Sequence, residues 1–180
     1  MTEIEEMIDF LETDTLSFIF SPIGLKYLSL KAKPDLHHIN LRTVEKNRAQ
    51  DPAEKLIIEE TLKFLTTGKH TMPLDLTDFT EFQQNVFEAV GNVEPGKIVT
   101  YGGIAEILGK PGAAQAVGSA VAKNPVSYFL PTHRVLPKKG IGICRTGAGY
   151  LREKLLEWEG HDLAKIRGNY VCTRRKCCQE

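Results

Sequence analysis

The strongest constraint on the fold is a pair of short helical runs separated by a turn that neither can cross. Gly102 to Leu108 reads as a helix, Gly109-Lys110-Pro111-Gly112 as a turn, and Ala113 to Ala122 as a second helix. Two glycines and a proline within four residues end the first run, and two short helices across such a turn form a helix-turn-helix candidate. The second run, Ala113-Ala114-Gln115-Ala116-Val117-Gly118-Ser119-Ala120-Val121-Ala122, has unusually small side chains. Small residues let a helix backbone come close to a neighbour. That neighbour is either another helix or a nucleic-acid backbone, and residue size alone favours helix packing.

The flanking sequence supplies the rest of a largely helical second half. Thr80 and Gln83 have capping-box spacing, and Phe82, Val86, Phe87 and Val90 make one apolar face. Glu94-Pro95-Gly96-Lys97 is a turn leading into the extended run Ile98-Val99-Thr100. Val126 to Leu130 reads as a buried strand or extended loop. Leu151, Leu155 and Trp158 indicate a final helix stopped by Gly160.

The first half has a different period. Ile4, Ile8 and Leu11 follow Thr2 at helical spacing, with Glu5 completing a capping box. Leu16, Phe18 and Phe20 alternate as a strand, Ser21-Pro22-Ile23-Gly24 turns, and Leu25 to Leu30 returns, with His37 to Leu41 as a candidate third strand. Asp51 as N-cap, Pro52 at the first helical position and Gly68 past the end mark another helix. The expected fold is α+β. Residues 1–74 form a small antiparallel sheet with helices, 75–165 a mostly helical domain with a winged helix-turn-helix, and 166–180 a tail.

Formal net charge is zero, but residues 1–74 hold 9 basic and 12 acidic side chains while 75–180 hold 14 and 11. A site for a polyanion in the second half must therefore use backbone amides and helix ends as much as a basic field. Cys144, Cys172, Cys177 and Cys178 all lie late, which fits reduced thiols better than a disulfide framework. Cys172-x4-Cys177-Cys178 lacks a second ligand pair at zinc-finger spacing, and His37-His38 has no cysteine nearby, so no metal and no cofactor are expected. No apolar run is long enough to span a bilayer, and the acidic N-terminus is unlike a signal or transit peptide. An intracellular protein, cytoplasmic or nuclear, is expected.

One further segment carries the chemistry. Asn124-Pro125-Val126, an apolar run, then Pro131-Thr132-His133-Arg134-Val135 resembles the active-site stretch of the O6-alkylguanine-DNA alkyltransferases, where Pro-Cys-His-Arg-Val follows Asn-Pro-Val. The resemblance runs from Phe82 to Gly160. It takes in Phe82-Gln83-Gln84, Thr100-Tyr101-Gly102, Gly109-Lys110-Pro111, Ala116-Val117-Gly118 and Leu155-Leu156-x-x-Glu159-Gly160. It implies a helix-turn-helix on the minor groove of double-stranded DNA and rotation of a guanine alkylated at O6 into a pocket. In the family a cysteine then takes the alkyl group in one irreversible turnover.

By position, His133 and Glu159 match the pair that activates the cysteine through a water, Asn124 the loop support, and Tyr101 the residue that presses on the backbone during flipping. The resemblance also places Ala114, Gln115, Gly118, Ser119 and Lys123 at the DNA, and Tyr101, Val135, Arg145, Thr146 and Gly147 around the lesion. Arg134 reads as a pin for the loop. Three positions depart from the family. Thr132 stands in place of the cysteine, Gln115 in place of an arginine that fills the gap left by the flipped base, and Arg145 in place of a tyrosine.

A threonine hydroxyl is far less acidic than a thiol, and an oxyanion hole has nothing to stabilise during displacement at saturated carbon. The expected function is lesion recognition without alkyl transfer, by a monomer that recruits a repair-protein partner. This is similar to the alkyltransferase-like proteins, although those commonly have tryptophan here and often lack the first domain. Two alternatives stay open: a transferase altered at Thr132 or using Cys144, and a DNA-binding module without lesion specificity.

Overall fold

The computed structural model describes residues 17–29, 52–126, 128–143 and 148–171, which fall into two units. The first comprises Met1–Thr80 with Asn124–Leu130, and the second Glu81–Lys123 with Pro131–Glu180. The expected helix near Ile4–Leu11 and the expected strand His37–Leu41 lie outside the described residues.

In the first unit, β1 (Ser17–Phe20) and β2 (Leu25–Ser29) pair antiparallel, with Phe18 opposite Leu28. Their turn is tied by Ser21, whose Oγ accepts the amides of Ile23 and Gly24 at 3.1 and 3.3 Å. Gly24 must be glycine because a Cβ there would sit 2.3 Å from the carbonyl oxygen of Pro73. That carbonyl also accepts the Leu25 N–H at 2.8 Å, so it cannot retreat without breaking the bond. Gly24→Ala is therefore expected to destabilise this unit by about 1–3 kcal/mol, the usual range for overpacking, seen as a lower urea midpoint.

Helix α1 (Pro52–Thr67) follows its sequence signals. Ile57, Thr61 and Phe64 form its buried stripe, and Gly68 at φ 71° closes it with an N–H to the Phe64 carbonyl. Phe64 and Phe129 both pack edge-on against His70. The segment 124–130 thus belongs with the first unit, although the sequence reading put all of 75–165 together. The Leu28 N–H donates to the Pro125 carbonyl at 2.8 Å, and Leu28 bridges Val126. Apart from that bridge the described residues of the segment form turns and bends, and Tyr128 takes φ 75°, left-handed backbone that costs a non-glycine residue on the order of 1–3 kcal/mol.

The second unit is built around the two short helices. After α2 (Glu81–Gly91), strand β3 (Val99–Thr100) runs directly into α3 (Tyr101–Ile107), and α4 (Ala114–Val121) follows the turn. Thr100 caps α3 by accepting the Gly103 N–H at 3.0 Å. Gly109 and Gly112 take φ 65° and 93°, which is why the turn between the helices needs them. Val86, Val90, Ile104, Ala105, Val117, Ala120, Val121 and Val135 form one core. The small residues of α4 therefore serve packing on one face, and α4 still leaves another face open.

Strand β4 (Val135–Leu136) pairs parallel with β3, and β5 (Ile141–Ile143) pairs parallel with β6 (Arg167–Val171). Helices α5 (Ala148–Trp158) and α6 (Leu163–Ile166) complete the unit, with Leu136, Ile141 and Leu156 in a second small core. Residues 167–171 were expected in the tail and instead form β6. Tyr170 and Val171 suit a strand, but its partner β5 lies far back in the chain.

Candidate functional site

The motif Pro131-Thr132-His133-Arg134-Val135 folds as a tight 3-10 turn, Thr132–Arg134, running into β4. The Arg134 N–H closes it on the Pro131 carbonyl at 3.0 Å. His133 and Arg134 are both buried, the arginine completely. A buried guanidinium needs an anion and further acceptors. Glu159, directly after α5, supplies the anion. Its Oε1 lies 2.8 Å from Arg134 Nε, 2.7 Å from Arg134 Nη2 and 2.7 Å from His133 Nε2. Arg134 Nη1 donates to the Val93 carbonyl at 2.6 Å, and the Gly96 N–H donates to Glu159 Oε2 at 3.2 Å. Five residues scattered from Val93 to Glu159 thus meet in one hydrogen-bonded group.

Electrostatics follow from this geometry. Burial pushes the Glu159 carboxyl up, but hydrogen bonds from His133 and Arg134 and their charge outweigh it and hold it at about 2. Burial pushes the His133 imidazole below its ordinary value of 6.5, against the upward pull of Glu159; Arg134 and Arg152 add to the lowering. Near neutral pH the carboxylate is ionised and can only accept, so His133 Nε2 carries the proton. The ring is then neutral, with its lone pair on Nδ1. That is the state a proton acceptor needs, and the half-buried Thr132 is its chain neighbour.

The open face of α4 is small and uncharged. Gln115, Ala116 and Ser119 are exposed, Ala114 and Gly118 half-buried, and Lys123 is exposed just beyond the helix. The Ser119 hydroxyl donates to the Gln115 carbonyl at 3.0 Å. Tyr101 packs at the core margin with its ring 3.9 Å from where a Gly118 Cβ would lie, so the α4 backbone and the tyrosine are close neighbours. Tyr101, Gly118 and the rest of this helix face are thus brought together within one unit.

The remaining expected residues are placed differently. Asn124 is in the first unit, where its Nδ2 donates to the Leu130 carbonyl at 3.2 Å and its Oδ1 accepts the Val126 N–H at 3.0 Å. It braces the loop that ends at Pro131. Val135, expected beside the lesion, is fully buried in the core of the second unit because β4 turns it inward. Arg145, Thr146 and Gly147, with Cys144, lie outside the described residues. Val93 and Gly96 were not anticipated, since they act through backbone atoms and leave no side-chain signature. Among the described residues there is no group of three or more His, Cys, Asp or Glu able to hold a metal, and no helix long and apolar enough to cross a membrane.

Fold and site together define an α+β protein with a helix-turn-helix and a buried Glu–His–Arg group beside it in sequence. Residues 81–161 match the family model described as 6-O-methylguanine DNA methyltransferase, DNA binding domain. The methylated-DNA–protein-cysteine methyltransferase of Shigella flexneri is 40% identical over 85 residues, 47% of this chain and 50% of that protein. The Salmonella typhimurium protein of the same name is 36% identical over 109 residues, 61% of this chain and 57% of that protein. The matched stretches thus span 50% and 57% of these two relatives. The crystal structure of Mycobacterium tuberculosis O6-methylguanine methyltransferase is 30% identical, with a TM-score of 0.57, covering 83% of this chain and 97% of that one. The same organism's OGT, solved in complex with DNA, is 27% identical, with a TM-score of 0.57, covering 84% and 88%. The chain belongs to the O6-methylguanine-DNA methyltransferase family, the O6-alkylguanine-DNA alkyltransferases.

Proposed function

We propose that this protein binds double-stranded DNA and recognises guanine alkylated at O6 by nucleotide flipping, without transferring the alkyl group. The observation that carries the reading is the paired His133 and Glu159, intact at 2.7 Å, next to a threonine rather than a cysteine. The proton-accepting half of a thiol-activating site is retained and the thiol is absent. The family model over 81–161 and a relative solved with DNA support the DNA-binding part. The small, uncharged α4 face beside Tyr101 suits close approach to a groove. The bound lesion then marks the damage for a repair-protein partner inside the cell, and the protein acts as a monomer.

The test is a titration of O6-methylguanine duplex against plain duplex of the same sequence. Tighter binding of the lesion, lost in Tyr101→Ala, with no label transferred to protein, is expected. Equal affinity for the two duplexes would favour a DNA-binding module without lesion specificity. Recovery of repaired guanine would instead make the protein a transferase.

Gln115 gives a separate expectation. It is exposed on α4 and brings no charge to the DNA. Gln115→Arg is expected to tighten binding to both duplexes and to steepen the slope of log K against log salt by about one unit, one phosphate contact's worth of released counterions. Binding measured at several salt concentrations reads both effects.

A further inference from the structure

We infer that Arg134 sets the protonation state of His133: by taking the same carboxylate oxygen of Glu159, it keeps the ring neutral with its proton on Nε2. The inference deepens the reading of the His133–Glu159 pair, but it concerns the protein without DNA. Arg134 and His133 both reach Glu159 Oε1, at 2.7–2.8 Å, and Arg134 is fixed from the other side by the Val93 carbonyl. All three side chains are at most 4% exposed. One anion and one permanent cation already balance. A proton on the ring would leave two cations against one anion in a place where water cannot compensate. The charged groups acting on the ring are Glu159 after α5, Arg134 in the same turn and Arg152 on α5, and the two arginines both oppose protonation.

Arg134 is thus a positioning residue, acting through His133. A neutral ring offers one lone pair, to a bound base or a water, whereas an imidazolium offers none. Without the guanidinium, Glu159 and a charged His133 would balance each other, so the ring would gain a proton near neutral pH. A role limited to packing would leave that titration where it was.

The experiment is 15N NMR of the histidine rings in the full chain, free of DNA, from pH 5 to 9. Wild-type His133 is expected to be neutral and protonated on Nε2 at pH 7. In Arg134→Gln its titration midpoint should rise by about 1–3 pH units, the usual effect of removing a nearby charge. Arg134→Lys, which keeps the charge, should bring the midpoint back down. An unchanged midpoint in a folded Arg134→Gln protein overturns the inference. Should that variant not fold, the wild-type spectrum decides: a charged ring, or a proton on Nδ1, at pH 7 overturns it equally. Lesion binding enters neither measurement, so the failure of one reading is distinguishable from the failure of the other.

Discussion

Thr132→Cys is expected to turn a protein that takes up no label into one that takes up about one alkyl group per molecule from O6-methylguanine duplex. The sulfur would attack the alkyl carbon, forming the S–C bond while the C–O6 bond breaks. The electron pair passes to O6, and guanine is restored once the base regains its ring proton. A cysteine needs to lose a proton first, and a free thiol is only a few per cent ionised at neutral pH. His133 is the next residue in the chain, and with Nε2 at Glu159 and its pKa lowered by burial it is the proposed acceptor of that proton. On the proposed reading threonine cannot take the cysteine's part, for two reasons. Its hydroxyl is far less acidic, and its β-branch restricts how the oxygen can approach.

Transfer to Thr132→Cys should depend on the pair beside it. Adding His133→Phe is expected to slow labelling by roughly 10²–10⁴-fold, the usual contribution of a positioned base. Labelled duplex, protein precipitation and peptide mapping give both the stoichiometry and the site. If Thr132→Cys binds the lesion but stays unlabelled, the missing thiol does not account for the proposed lack of transfer. Attention would then pass to the other departures, Gln115 and Arg145.

Local chemistry made much of this legible beforehand. Pro52 and Gly68 bracket α1 because one presets the entry φ and the other alone takes the left-handed exit cheaply. The turn between α3 and α4 was evident from Gly109 and Gly112 for the same reason. Strand β6 was not, because Arg167-Gly168-Asn169 shows no alternation and its pairing with β5 is set by distant chain. Within the site, the Leu155–Gly160 stretch pointed to Glu159 and the Pro131–Val135 motif to His133. It could not show that Arg134 reaches back to a carbonyl at Val93, since every residue carries a carbonyl. Nor could it show that Val135 faces the core, because one residue's difference in a two-residue strand reverses the side chain.

Glu159→Gln is expected to destabilise the second unit by about 3–5 kcal/mol, the range for removing one partner of a buried ion pair. The side chain keeps its shape, so the loss is electrical. Arg134 is fully buried, and the substitution leaves its charge opposite an amide that has one acceptor oxygen where the carboxylate had two. Domains hold only about 5–15 kcal/mol in total, so the shift in urea midpoint should be plain. Its pH dependence identifies the cause. The Glu159 carboxyl sits at about 2 in the fold against an ordinary 4.5, so the unfolded chain binds the proton first as pH falls. The carboxylate's contribution is full above 4.5, shrinks through that window and is gone below about 2. His133, whose folded value is also lowered, loses stability in the same direction starting from its ordinary 6.5. Wild type should therefore weaken from about pH 6.5 downward and more steeply below 4.5. Glu159→Gln should lack the steeper acid limb, so the two midpoints converge as pH approaches 2. A constant gap between them down to pH 2 would mean that the carboxylate acts by shape and not by charge.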